Sequence, residues 1–513
     1  MLQRWMERAV VGGMLAALLS LALPLAASAD LGRGYTIDPT PGLGRDPAPV
    51  SYVYDHEVTL LTALQNTAAL SMKNPSDMYL DPTNQHLWIA DTDNNRLIEL
   101  DQNDQFLRVV GQTDAKAPKT TASLNGPQGL YVAPDGTIYV ADSGNSRIAV
   151  FDKTGKFLRA YGKPATELLQ TDASYKPTKV IVDPSGRIFV VNGGGDFRGV
   201  IQMDATGTFR GFFGANHNLF SLTSMFTRLF ATAEQKAQIA KTLPSSDTNM
   251  YLSGDGYIYT VSATAQMGQI KKLNSLGEDV YKVTNHSHLF GLSNDSTQAF
   301  FGEKPLGNGQ FPQFVSITVD NTGIITALDA GSGKIYQYDQ SGNLLDVFGG
   351  KQNSQNGYFD YPAAVTIRPN GNIYVLDSSR KDIQIFRPTQ FATMIHQASV
   401  LFYDGKYNAS AQIWQQLLRM DAHYNLAHDL LGQCYTKIGQ QLGGTTQDYL
   451  LAMDQERLAE DRSNFSGAFT QYRHDWASQN FGLMLGIVFG AIVVLVLISR
   501  PIGRLVEAAI KMG

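Results

Sequence analysis

Two short loops hold the side chains best able to do chemistry: Asp91, Asn94 and Arg96, and Asp142, Asn145 and Arg147, each in a D-x-x-N-x-R pattern. A carboxylate, an amide and a guanidinium at this spacing can contact a metal or a ligand. They can equally satisfy the loop itself, Asp and Asn bonding the turn's own amides while Arg reaches the adjacent repeat. Recurrence favours the second reading. The landmark position returns as Asp91, Asp142, Asn192, Asp329 and Asp377, so the loop reads as scaffold belonging to a repeat.

Other polar residues fall at the start of corresponding runs. Asp77, Gln128, Lys179 and Gln313 would face one opening and could meet a sugar, a peptide or water. Histidines are scattered at His56, His86, His217, His286 and His288; the last two are two apart in a Ser/Asn-rich linker and could chelate or simply be solvated. No G-x-S-x-G nucleophile motif occurs. The single cysteine, Cys434, excludes an intramolecular disulfide and a Cys-based metal site. No catalytic residue, metal ligand or cofactor is assigned on these grounds.

The elements that position the loops are clearest in Asn125–Gly162. Leu130–Val132 alternates, Pro134-Asp135-Gly136 turns, and strands follow at Ile138–Ala141, Ile148–Phe151 and Phe157–Tyr161. Each run is short, rich in β-branched and aromatic residues, and bounded by Gly, Pro, Asp or Asn. Four strands joined by hairpins make one antiparallel sheet, one blade of a β-propeller. Further copies span 74–111, 176–214, 247–281 (the weakest), 311–349 and 361–387. The last stops after its third strand. An unpaired edge there would be an aggregation hazard, and the extended run around Tyr52–Tyr54 is the expected donor of the missing strand. The expected fold is mainly β: a six-bladed propeller over 51–390, latched by an N-terminal strand.

The pattern P-x-G…D-G-x-I-Y-V-A-D-S-G-N-x-R-I…F…G resembles the NHL repeat family, closely at Trp88–Arg96 and Tyr139–Arg147. The third copy departs from it, with Asn192 for Asp and extra residues before Arg198; the fourth lacks both Asp and Arg. The resemblance implies the fold, and function less so. Six-bladed propellers that resemble gluconolactonases hold a divalent metal at the channel mouth, and those that resemble the amidating lyase hold zinc with several histidines. A lactonase- or lyase-type enzyme is therefore the alternative to a binding protein.

Places where the repeat fails are the candidate contact sites: Gly194 and Arg198 in the third copy, and the insertion 216–243. There Phe226 and Phe230 lie among apolar residues at helical spacing, which reads as a lid or a docking platform, or as a helix plugging the rim.

After Pro388 the period changes to that of helices, expected at Phe391–Tyr403, Asn408–Met420, Asn425–Ile438 and about Thr446–Trp476. Gly405, Tyr407 and Ala411 give the segment 391–478 a resemblance to a tetratricopeptide repeat. Phe481–Ser499 is uncharged over a length able to cross a bilayer, with Arg500, Arg504 and Lys511 beyond it. A transmembrane helix over 480–499 with a cytoplasmic tail, 500–513, follows. Gly482, Gly486 and Gly490 form a G-x-x-x-G stripe suited to packing on another membrane helix. At the other end, Arg4 and Arg8, the apolar run Val10–Ala22 and Ala27-Ser28-Ala29 read as a signal peptide over 1–29, and 30–50 as a Gly/Pro-rich linker.

The chain has 513 residues, enough for several domains, with Asp+Glu 46 against Lys+Arg 41. That balance argues against a nucleic-acid binder. The expected protein is a single-pass, membrane-anchored propeller with its bulk outside the cytoplasm, binding a protein partner or a glycan. Proteins similar in layout look like bacterial envelope NHL proteins, some associated with carbohydrate uptake, which implies a glycan or transporter partner.

Overall fold

A computed structural model describes residues 34–37, 45–59, 71–111, 122–166, 174–193, 199–214, 247–281, 283–284, 296–297, 299–305, 309–352, 355–441 and 443–510. The expected signal peptide, the insertion 216–243 and the loop holding Gly194 and Arg198 lie outside them.

The chain forms a six-bladed β-propeller. Blades I to VI occupy 77–110, 127–161, 177–213, 249–273, 314–349 and 362–388, and each is an antiparallel meander. Burial on both faces drives it: in Ile138–Asp142 every residue is buried, because a middle strand is covered by the neighbouring blade on each face. The hairpin before it turns at Gly136, whose φ of +83° suits glycine, and the Asp135 carboxylate accepts the Thr137 N–H at 2.9 Å. The core lies between blades; one cluster joins Tyr131, Ile148, Val180, Phe189 and Ile258 across blades II, III and IV.

Blade VI is completed by Tyr52–Val58, which pairs antiparallel with Asp382–Pro388, from Ile383 opposite Val58 to Pro388 opposite Tyr52. Its register shifts between Ile385 and Phe386, where blades I, II, III and V shift between their own third and fourth strands. The borrowed strand therefore reproduces the bulge of a continuous blade. Within the stretch read as a linker, Gly34–Ile37 and Arg45–Ala48 pair as a hairpin, and Tyr35 sits opposite Val347 on the outer strand of blade V. Glu303 fastens this hairpin, accepting from the Tyr35 hydroxyl at 2.6 Å, Arg45 at 2.9 Å and Lys334 at 2.8 Å. Among the described residues blade IV has three strands.

A helical region follows: α1 (Gln390–Tyr403), α2 (Tyr407–Met420), α3 (Asn425–Gln440), α4 (Thr446–Leu458), α5 (Arg462–Gln479) and α6 (Phe481–Ile510). From α2 to α5 each helix packs on the next. The single helix expected over 446–476 is two. Glu460 takes a left-handed φ of +56°, and the Asp461 carboxylate caps α5 by accepting the N–H groups of Ser463 and Asn464. In α6, Phe481–Ile502 is long and apolar enough to cross a membrane, with mean hydropathy 3.0 and none of it covered by protein.

Candidate functional site

The D-x-x-N-x-R loops turn inward. Asp142 is wholly buried; one oxygen accepts the Asn125 N–H at 2.7 Å, and the other accepts Asn145 at 2.8 Å and Arg147 at 2.7 Å. Arg147 and Asn145 also donate to the Ser123 carbonyl. Asp91, Asn94 and Arg96 repeat this with Lys73 and Ser71. The loop thus ties each blade to the chain that leads into it. Among the described residues Arg147 bonds its own blade and the chain leading into it, not the adjacent blade that the sequence pattern suggested. The bond to the adjacent blade comes from the residue after the Asp: the Thr92 hydroxyl donates to the Pro127 carbonyl at 2.8 Å, Ser143 to that of Pro177, and Ser378 to that of Pro75, which joins blade VI to blade I. Arg147→Ala is expected to cost about 2 kcal/mol, the range for hydrogen bonds to charged groups; denaturant unfolding of the purified chain measures it.

Blade IV inverts the pair. The incoming segment supplies the carboxylate, Asp247, and the third strand supplies Lys271 at 2.8 Å. In blade VI the position opposite the landmark Asp377, where Arg147 faces Asp142 in blade II, is Asp382. Burial, countered by Arg380 at 2.9 Å and reinforced by Asp377 and Glu57, pushes the Asp382 carboxyl up to about 6. Its ordinary value in an unfolded chain is about 3.9, so its favourable contribution is complete below that pH and is lost as pH rises through about 6. Asp382→Asn should therefore gain on the parent by about 2 kcal/mol between pH 4 and 7.5, read from denaturant midpoints at both.

At the mouth of the ring, strand register sets which residues are level. Asp77 lies opposite Ala90, Gly129 opposite Ala141, Lys179 opposite Val191, Asn249 opposite Val261, Ser316 opposite Leu328 and Ala364 opposite Leu376. Asp77 and Lys179 meet each other, a pairing the sequence did not indicate. Lys179 Nζ reaches Asp77 Oδ2 at 2.5 Å, spanning from blade III to blade I, and both are buried. Blade II lies between them and offers Gly129; a Cβ there would stand 2.3 Å from the Thr178 carbonyl and 3.2 Å from Lys179 Cδ. Asp77 Oδ2 also accepts the Leu130 N–H at 3.0 Å, while Oδ1 is buried without a partner.

Gln128 and Gln313 do not join this ring. The first strands carry a bulge, between Pro127 and Gly129 in blade II and between Phe314 and Ser316 in blade V, which puts Gly129 and Ser316 level with Asp77 instead. Asn249 and Ser316 are engaged with backbone, Asn249 donating to Val315 O at 3.0 Å and Ser316 Oγ accepting from Val365 N at 3.1 Å.

Comparison with known proteins bears on this geometry at one place. Residues 124–151, which hold the Asp142 loop and three strands of blade II, match the NHL repeat. Human NHL repeat-containing protein 3 is 34% identical over 126 residues, 24% of this chain and 33% of its own length, and the mouse protein is 33% identical over the same shares. The chain thus spans about a third of the length of the curated relatives it matches. Among solved structures, a virginiamycin B lyase from Staphylococcus aureus aligns at 13% identity over 65% of this chain and 88% of its own, TM-score 0.36. A gluconolactonase from Xanthomonas campestris aligns at 12% identity over 67% and 99%, TM-score 0.38. Neither alignment is strong enough to transfer chemistry.

In the propeller, His86 pairs with Glu99 at 2.8 Å and His56 with Asp55 at 2.8 Å. His217, His286 and His288 lie outside the described residues, as do Gly194, Arg198, Phe226 and Phe230. Gly482, Gly486 and Gly490 fall on one side of α6 at i, i+4 and i+8, and a Cβ added to any of them would meet nothing within 4 Å. Cys434 is buried, which pushes its thiol up to about 12 and leaves it unreactive.

One cluster was not picked out from the sequence. Among the described residues, only Asp429, Glu456 and Asp461 bring three metal-capable side chains together, and they do so in the helical region. The sequence shows merely charges spread along a helix; the break at Glu460 is what turns Asp461 back.

Proposed function

We propose that this protein is a single-pass membrane protein whose NHL propeller binds a protein partner or a glycan outside the cytoplasm, in the service of a carbohydrate uptake system. The supporting observation is how the mouth's polar groups are engaged. Asp77 and Lys179 hold each other, Asn249 and Ser316 hold backbone, and the D-x-x-N-x-R groups hold their own blades. Such a ring presents a rigid rim to a partner, the usual use of loops carried on a stiff scaffold. The uncovered apolar stretch Phe481–Ile502 is the anchor, and Arg500 near its end and Arg504 beyond it favour a cytoplasmic C-terminus.

The test is binding by the full chain in detergent. An oligosaccharide array and a reconstituted sugar-uptake complex are the probes, with Gln128→Arg and Tyr361→Ala as rim variants, Tyr361 being 65% exposed. Saturable binding weakened by either variant supports the reading. Turnover of a lactone or ester by the same preparation, without such binding, overturns it in favour of a propeller enzyme.

A further inference from the structure

Glu456 is 1% exposed, and neither of its carboxylate oxygens has a hydrogen-bond partner. Burying an ionised carboxylate without compensation is among the costliest things a fold can do. Here the surroundings aggravate the cost. Oxygens of Asp429 on α3, Glu456 on α4 and Asp461 at the start of α5 all lie within 4.8 Å of one another. No basic side chain among the described residues pairs with any of the three.

The site is shaped around Glu456. A Cβ at Gly432 would stand 2.5 Å from Glu456 Oε1, so α3 makes room for the carboxylate by carrying glycine there. The flanking acids are held in place. Asp429 Oδ1 accepts the Asn464 amide at 3.0 Å and Gln433 at 3.1 Å, and Gln433 also reaches Asp429 Oδ2 at 3.2 Å. Asp461 Oδ1 is fixed by the N–H groups of Ser463 and Asn464 at 2.8 and 2.9 Å, and Oδ2 accepts Asn464 Nδ2 at 3.3 Å. Glu456 lines a cavity of about 220 Å³ together with Gln433, Lys437, Asn464 and Gln471 among others.

We propose that Asp429, Glu456 and Asp461 form a binding site for one hard divalent cation, Ca²⁺ being the best match. The donors are all oxygen, which excludes the soft thiolate-preferring metals. Ca²⁺ takes carboxylate oxygens at about 2.3–2.6 Å in a flexible geometry and fills its remaining positions with water, so three oxygens within 4.8 Å of one another can share one ion. Mg²⁺, at about 2.0–2.1 Å, demands near-ideal octahedral geometry and gives up its waters reluctantly, which suits it less to three fixed side chains. Without a cation, burial and then the Asp429 carboxylate push Glu456 up to about 10, so a proton would have to stand in. The ion would join α3, α4 and the α4–α5 turn at one point.

The test uses the full chain in detergent, stripped with EDTA and then given CaCl₂, MgCl₂ or MnCl₂ alone. Equilibrium dialysis should give one Ca²⁺ bound through this cluster, and the thermal midpoint of the helical transition should rise by several degrees. Glu456→Gln removes the buried acid while keeping its shape, so it should fold at least as well as the EDTA-treated parent yet bind Ca²⁺ at least tenfold more weakly. Asp429→Asn should weaken binding likewise. If no cation binds, or if Glu456→Gln folds and binds Ca²⁺ as the parent does, the proposal is wrong and the cluster is an acid pair sharing a proton.

Discussion

Asp77→Ala is expected to lower the stability of the propeller by about 3–5 kcal/mol, the cost of leaving one member of a buried ion pair alone. Lys179 is 6% exposed and reaches its partner across blade II, so it has no short path to water when the carboxylate is removed. The Leu130 N–H loses its acceptor as well. Lys179→Met should cost a comparable amount, because it leaves Asp77 with both oxygens buried and only one backbone donor. The double variant Asp77→Leu, Lys179→Met removes both charges and should lie closer to the parent than either single change, since a buried pair replaced whole by apolar groups is often neutral. Denaturant midpoints of the four chains form a thermodynamic cycle; strict additivity of the single losses would show that the pair is not coupled. Gly129→Val addresses the same contact from blade II, since its Cβ would press on the Thr178 backbone rather than on a movable side chain.

Removal of residues 1–58 should abolish folding of the propeller in the detergent-extracted chain, whereas a chain beginning at Val50 should stay folded. The first truncation takes away the fourth strand of blade VI and leaves Asp382–Pro388 as an open edge, the commonest template for aggregation. It also uncovers what Tyr52 and Val58 bury; Tyr52 is 4% exposed and stacks on Phe348 with ring centres 4.5 Å apart. Two buried side chains of this size contribute about 3–6 kcal/mol, and each lost ladder bond adds about 1. Together these approach the about 5–15 kcal/mol that holds a typical domain folded. The chain from Val50 keeps the whole strand and loses only the hairpin pinned by Glu303, so its penalty should be small. Size-exclusion chromatography of the detergent extract separates the two outcomes.

The architecture was readable in the residues because it is written locally. The short β-branched and aromatic run Ile138–Ala141, glycine at the left-handed turn position 136 and the returning Asp at 91, 142, 329 and 377 each specify one blade without reference to the others. Even the latch followed from a local deficit, a last repeat that stops after three strands. The helices α1 to α3 were legible for the same reason, from apolar spacing along a single segment.

Register and closure decided the rest. A bulge at Pro127–Gly129 moves the ring position by one residue, so Gly129 rather than Gln128 stands level with Asp77, and no sequence pattern signals such a shift. The Asp77–Lys179 pair joins residues 102 apart in the chain, and exists only because the ring brings blades I and III within reach of one side chain over a glycine. The carboxylates of Asp429, Glu456 and Asp461 look like ordinary solvated charges until the turn at Glu460 and the packing of α3 on α4 remove Glu456 from water. Local chemistry thus determined the elements and their number; burial and pairing of charge depended on which distant segments the closed fold made neighbours, because the energy of a charge depends on its surroundings rather than on its place in the chain.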